Sequence, residues 1–189
     1  MARNNVSQKF VAVTLIASAL LVACSARSVA RRASPRTPPV ARAVRIYQEY
    51  QLALRDSIVR LTLAQVGTRY EYGGTTPQGG FDCSGLVSYV FAELYRTPPR
   101  LAANQARLGT PVERDALRPG DLLTFGLGDS VTHIGIYVGD RKYVHASSVA
   151  GRVIVSPMDR PPSELIRPLK GARRLLGARD PFEARLGGT

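Results

Sequence analysis

Beyond the turn signal Pro119-Gly120 the chain breaks into short β-like runs, and this pattern restricts its fold more than any other feature. Four runs, Asp121 to Phe125, Val131 to Val138, Lys142 to Ser147 and Arg152 to Pro157, are separated by tight turns, and a weaker fifth covers Ala172 to Leu176. Before them, apolar residues recur at helical spacing. Val44, Tyr47, Leu54, Ile58, Leu61 and Leu63 mark a helix within Val40 to Val66. Its second half has the clearer signals, with Asp56 or Ser57 placed to cap Ile58 and Gly67 suited to the C′ position. A second helix is expected after Asp82, with apolar positions at Leu86, Val87, Val90, Phe91 and Leu94. Arg100 to Arg107 reads as loop with a short helix. Helices followed by a run of short strands imply an α+β fold, N-terminal helices packed on an antiparallel sheet of about five strands.

The only two histidines lie in adjacent strands of this sheet. In Thr132 to Val138 the apolar Ile134, Ile136 and Val138 take one face, so His133, Gly135 and Tyr137 take the other; His145 likewise sits opposite Val144 and Ala146. If Gly139-Asp140-Arg141 is a three-residue hairpin loop, Val138 pairs with Lys142, Gly135 faces His145 and His133 faces Ser147. The imidazoles are then diagonal neighbours able to hydrogen-bond, with Gly135 leaving them room. A two-residue loop would put them on opposite faces.

Asp82 is the expected N-cap of the second helix, which places Cys83 in its first turn. The positive end of a helix dipole stabilises an anion, so Cys83 is expected to lose its proton more easily than a free thiol, whose pKa is about 8.5. Arg69 to Gly80 (RYEYGGTTPQGG) leads in as a glycine-rich loop able to turn tightly and approach a ligand closely. A thiol, a histidine to take its proton and a second histidine to orient the first make up a cysteine-nucleophile triad. Three other readings share these residues. Cys83 could be a small buried hydrophobe, the histidines could simply be packed, or Cys83, His133, His145 and Asp82 could hold zinc, although no usual paired ligand spacing is present.

The formal charge of +12 suggests a nucleic-acid partner until it is located. Eight Lys or Arg and no acid precede Glu49, leaving 18 bases against 14 acids in the remainder. Neither a nucleic-acid motif nor aromatic interleaving accompanies the charge, so no nucleic acid is expected. Arg3 and Lys9 precede an apolar run from Phe10 to Val22 that is too short to span a bilayer comfortably; this is the layout of a secretory signal. Ser25 to Pro39, rich in Arg and Pro, reads as a linker, long enough to hold a domain on the order of 40–50 Å from a surface. Its arginines suit lipid headgroups or anionic wall polymer as well as plain solvation.

Leu21-Val22-Ala23-Cys24 resembles a bacterial lipobox. The resemblance implies cleavage before Cys24, lipidation of that cysteine and, with Ser25 following, sorting to the outer membrane. Cys83 is then the one free thiol of an exported protein, which points to reactivity. RYEYGGTTPQGGFDCSGLV, PGDLLTF, THIGIYVGD and KYVHAS, in this order, resemble the NlpC family of papain-like cell-wall peptidases from about Ser57 to Leu176. By that resemblance Cys83 is the nucleophile, His133 the general base, His145 its orienting residue and Tyr70 an active-site tyrosine near the oxyanion. Asp82 and Ser84 would help bind substrate, although helix capping also accounts for Asp82. Leu101 departs from the Ser or Thr of many relatives and is expected to alter a wall of the cleft.

These readings divide the chain into a signal peptide at 1–23, a lipidated cysteine and linker at 24–41, a catalytic domain at 42–178 and a tail at 179–189. The resemblance implies a monomeric outer-membrane lipoprotein facing the periplasm, with no cofactor or metal. Its expected activity is cleavage of peptidoglycan peptides, with the meso-diaminopimelate to D-alanine bond favoured. Cleavage of the γ-D-glutamyl to diaminopimelate bond, an inactive peptidoglycan-binding lipoprotein and an acyltransferase on the same fold are the alternatives. Cys24→Ser is expected to leave an unlipidated precursor that takes up no radioactive palmitate; uptake equal to wild type would exclude the lipobox.

Overall fold

The computed structural model describes residues 39–158 and 167–177. The leader, Cys24, most of the linker and the C-terminal tail therefore lie outside the described residues. The chain falls into two compact units, Met1–Ala41 and Arg42–Thr189. The sheet, the site and all but the first residues of the first helix belong to the second.

Helix α1 runs continuously over Pro39–Ala64. No new helix starts at Ile58. Ser57 Oγ donates back to the Ala53 carbonyl at 2.9 Å, the bond of a mid-helix serine and not of an N-cap. Gly67 has φ of +94°, consistent with a left-handed residue after a helix. The glycine-rich loop holds a small hairpin, β1 (Thr75–Thr76) with β2 (Gly80–Phe81). It leads into helix α2 (Cys83–Leu94), and α3 (Ala102–Gln105) follows. Leu101 is the N-cap of α3 and makes no side-chain cap bond.

Six strands form the main sheet, in the order β3-β8-β4-β5-β6-β7: β3 (Thr110–Val112), β4 (Leu122–Phe125), β5 (His133–Gly139), β6 (Lys142–Ser147), β7 (Arg152–Pro157) and β8 (Leu169–Arg174). Each adjacent pair is antiparallel. Strand β3 was not expected from sequence; it is a three-residue edge strand with a proline at its centre, a residue that sheets accept only at an edge or bulge. The last strand comes earlier than its apolar residues suggest. It pairs over Leu169 to Arg173 with β4, while Leu176 lies beyond it, buried in the core.

Alternation along the strands divides the core into two layers. Leu122, Ile134, Ile136, Val144, Ala146 and Val153 join Leu54 and Ile58 of α1 and Leu86, Val87, Val90 and Phe91 of α2. On the opposite face Leu123, Phe125, Tyr143 and Ala172 form a smaller cluster. Each fully buried Leu, Ile, Val or Phe contributes roughly 1.5–3 kcal/mol, and α2, packed on β5 and β6, is thereby fixed with its N-terminus beside the sheet.

A buried carboxylate joins α1 to the sheet. Asp121, fully buried, accepts two bonds from Arg174 at 2.9 and 2.7 Å and one from the Arg118 N–H at 2.8 Å. Arg55 of α1 stands 3.6 Å away and donates to the carbonyls of Pro119 and Leu176. Asp121→Ala would leave these cations facing each other without their counter-charge. It is expected to cost about 3–5 kcal/mol, read as a lower urea midpoint at unchanged slope. A loss too small to measure would show that backbone bonds alone hold α1 in place.

Candidate active site

The β5–β6 hairpin sets the site, and it does so differently from the sequence expectation. The loop has two residues, not three. Gly139 pairs with Lys142, and Asp140 and Arg141 form the turn with φ of 50° and 56°, the positive pair of a type I′ turn. On its own this loop would throw the histidines onto opposite faces. A register shift between Tyr137 and Gly139 leaves Val138 as an extra residue, a β-bulge, so that Tyr137 pairs with Tyr143 and Ile136 with Val144. The bulge thus restores the register that the longer loop would have given.

His133 and His145 consequently meet. His133 Nε2 and His145 Nδ1 are 2.7 Å apart and the rings cross edge to face with centroids 4.8 Å apart. Gly135 is required there, because a Cβ would stand 2.7 Å from the Tyr143 ring and 3.2 Å from the His145 Cβ. Phe125 packs against His133 and Tyr143 against His145. Burial, reinforced by His145, pushes His133 down to about 3, and burial brings His145 to about 4. Both imidazoles are therefore neutral at physiological pH. The outer nitrogen of His145, Nε2, lies 3.0 Å from Ser156 Oγ.

Cys83 is half-buried and not in a disulfide, and it opens α2 as expected. The backbone N–H groups of Ile134 and Ser84 face its sulfur, which places it against the residue following His133. The expected fall in its pKa does not occur. Burial, followed by the nearby Asp82 carboxylate, pushes the thiol above its ordinary value, and the two N–H groups offset this only in part. Tyr70, also half-buried, is raised first by burial and then by Cys83 and Asp82, so its phenol stays protonated beside the thiol.

Asp82 caps α2 through the Gly85 N–H at 2.7 Å and reaches the Gly73 N–H at 3.0 Å, tying the glycine-rich loop to the helix. The fit is close: a Cβ on Gly85 would lie 1.9 Å from the Gly74 carbonyl oxygen. Asp82 is also ion-paired with Arg100, whose nitrogens lie 3.0 and 2.5 Å from its two oxygens and 2.8 Å from Ser84 Oγ. Burial opposes the charge on Asp82, yet Arg100 and the N–H groups of Gly85 and Gly73 hold its pKa below the usual carboxylate value. Arg100 was not foreseen as a site residue. It lies far from Asp82 in sequence, and Gln105, whose side-chain amide reaches the Ser84 and Pro99 carbonyls, fastens its segment to α2. Of the residues in the zinc reading, His145 has both ring nitrogens engaged, by His133 and Ser156, and Asp82 is held by Arg100. Among the described residues no three His, Cys, Asp or Glu side chains converge as metal ligands.

A helix N-terminus carrying a thiol, set against an antiparallel sheet carrying two linked histidines, is the arrangement of the papain-like class. The family model for NlpC/P60 matches residues 67–165. The chain is 37% identical over 152 residues to the murein DD-endopeptidase MepS/murein LD-carboxypeptidase of Escherichia coli K12, covering 75% of this chain and 80% of that protein. It is 36% identical over 121 residues to the γ-DL-glutamyl hydrolase of Bacillus subtilis, covering 60% of this chain and 29% of the relative. The peptidoglycan hydrolase RipB of Mycobacterium tuberculosis superposes with a TM-score of 0.60 at 29% identity, over 74% of this chain and 73% of RipB. The chain belongs to the NlpC/P60 family.

With its pKa raised, the Cys83 thiol is protonated at neutral pH. The rate of Cys83 alkylation by iodoacetamide should therefore rise with pH through a midpoint above that of a free thiol, about 8.5. A plateau already reached near neutral pH would instead reveal a thiolate–imidazolium pair.

Proposed function

We propose that this chain is a cysteine peptidase that hydrolyses the peptides of peptidoglycan. The observation carrying the reading is the hydrogen-bonded pair His133–His145 at the start of the strand whose Ile134 N–H faces the Cys83 sulfur. His133 spends Nε2 on His145, so Nδ1 is the nitrogen left for the thiol proton. As that proton moves to His133, the sulfur attacks the substrate carbonyl and the oxygen takes up negative charge. The Tyr70 hydroxyl and the N–H groups at the start of α2 are the donors at hand to stabilise it. His133 then gives its proton to the departing amine, leaving a thioester, which water hydrolyses with His133 again acting as base.

The favoured bond is meso-diaminopimelate to D-alanine, supported by the similarity to a murein DD-endopeptidase over most of both chains. Asp82, Ser84 and Arg100 form the charged wall next to the nucleophile and are assigned to substrate binding. The Leu-Val-Ala-Cys24 sequence supports a lipid anchor in the outer membrane, with the catalytic domain facing the periplasm.

Digestion of purified sacculi, with the released muropeptides identified by mass, tests this reading. Cleavage of the cross-link should convert dimeric muropeptides to monomers, one ending in D-alanine and the other with a freed diaminopimelate amine; cleavage at γ-D-glutamate would move the assignment to the other bond. Cys83→Ala and His133→Ala should each abolish nearly all turnover, and the double variant should be hardly worse than either, because the two act as one unit. His145→Gln should keep measurable activity and His145→Ala much less, while chelators should change nothing. Release of muropeptides by Cys83→Ala at the wild-type rate would end the proposal.

A further inference from the structure

We propose that Ser156 is a fourth, positioning member of this site: its Oγ accepts the His145 Nε2–H and so fixes the tautomer in which His145 can orient His133. The inference rests on the peptidase reading and assigns a role to a strand that the reading does not otherwise use.

Proton accounting leads to Ser156. A neutral imidazole carries one N–H, and both rings are neutral. For His133 Nδ1 to receive the thiol proton it must be bare, so the ring's hydrogen is on Nε2 and points at His145 Nδ1, 2.7 Å away. That nitrogen must then be an acceptor, which leaves the His145 hydrogen on Nε2. Ser156 Oγ is 3.0 Å from it. In the other tautomer, His145 Nδ1–H would point at His133 Nε2–H, and the clash of two donors would drive the His133 hydrogen onto Nδ1, where it blocks the base.

The fold builds this contact in. On β6 and β7, His145 pairs with Ile154 and Tyr143 with Ser156, which places Ser156 on the His145 face, diagonally across from it. Ser156 and His145 are both buried, so neither can substitute water freely for the other. The Tyr143 hydroxyl, buried next to Ser156, has no well-formed hydrogen bond. The Ser156 hydroxyl hydrogen is therefore free to turn toward that oxygen, which keeps a lone pair of Oγ aimed at His145. A serine hydroxyl in this aromatic layer is costly unless bonded, and His145 is the bond it makes.

Two measurements on the full chain test the assignment. Long-range proton–nitrogen NMR of the resting protein should show His145 protonated at Nε2; protonation at Nδ1 would overturn the proposal, whatever the activity. In sacculus digestion Ser156→Ala should lower kcat about tenfold to a hundredfold with KM little changed, the scale of leaving one buried donor unpaired. Ser156→Thr, which keeps the hydroxyl, should recover most of that loss, with circular dichroism confirming that both variants fold. Wild-type kcat in Ser156→Ala, or equal losses in Ala and Thr, would reject the positioning role. If Cys83→Ala also remains active, it is the peptidase reading that has failed; if Cys83→Ala is inactive while Ser156→Ala is normal, only the role of Ser156 falls.

Discussion

Side chains in a strand change face at every residue, so the register of the β5–β6 hairpin decides whether His133 and His145 can meet at all. The turn through Asp140 and Arg141 and the bulge at Val138 act as opposite one-residue shifts. Together they put two imidazoles in contact inside an aromatic layer, with Gly135 giving up a side chain to make room. Either feature without the other would leave His133 and His145 on opposite faces. The contact between the two histidines, and the Ser156 hydroxyl that His145 meets behind them, both depend on this cancellation.

Cys83 is positioned by different means. Asp82 gathers the start of α2, the glycine-rich loop and Arg100 around one carboxylate, and the absence of a side chain at Gly85 lets the loop lie directly on the helix. Electrostatically the same carboxylate works against Cys83. A helix N-terminus favours a thiolate, yet burial and the Asp82 charge outweigh it. The thiol and both imidazoles are therefore held uncharged at neutral pH. Two neutral groups are cheaper to bury than an ion pair, whose desolvation would have to be recovered elsewhere.

Sequence by itself determined what short-range periodicity can carry. The α+β class, the two main helices, Asp82 as cap, Cys83 in the first turn of its helix and the shared face of His133, Gly135 and Tyr137 follow from spacing and propensity, which act over a few residues. The edge strand β3 escaped because three residues around a proline carry no periodic signal, and the cap reading at Asp56 or Ser57 failed because good cap residues also occur inside helices. Tertiary structure decided the rest. The bulge at Val138 is paired against a partner strand and leaves no mark in its own segment. Arg100 and Ser156 reach the site only across the fold, and the direction of the Cys83 pKa depends on how deeply packing buries the sulfur. Local sequence fixes which way a side chain points; distance, burial and charge at a site are sums over neighbours that only the folded chain brings together.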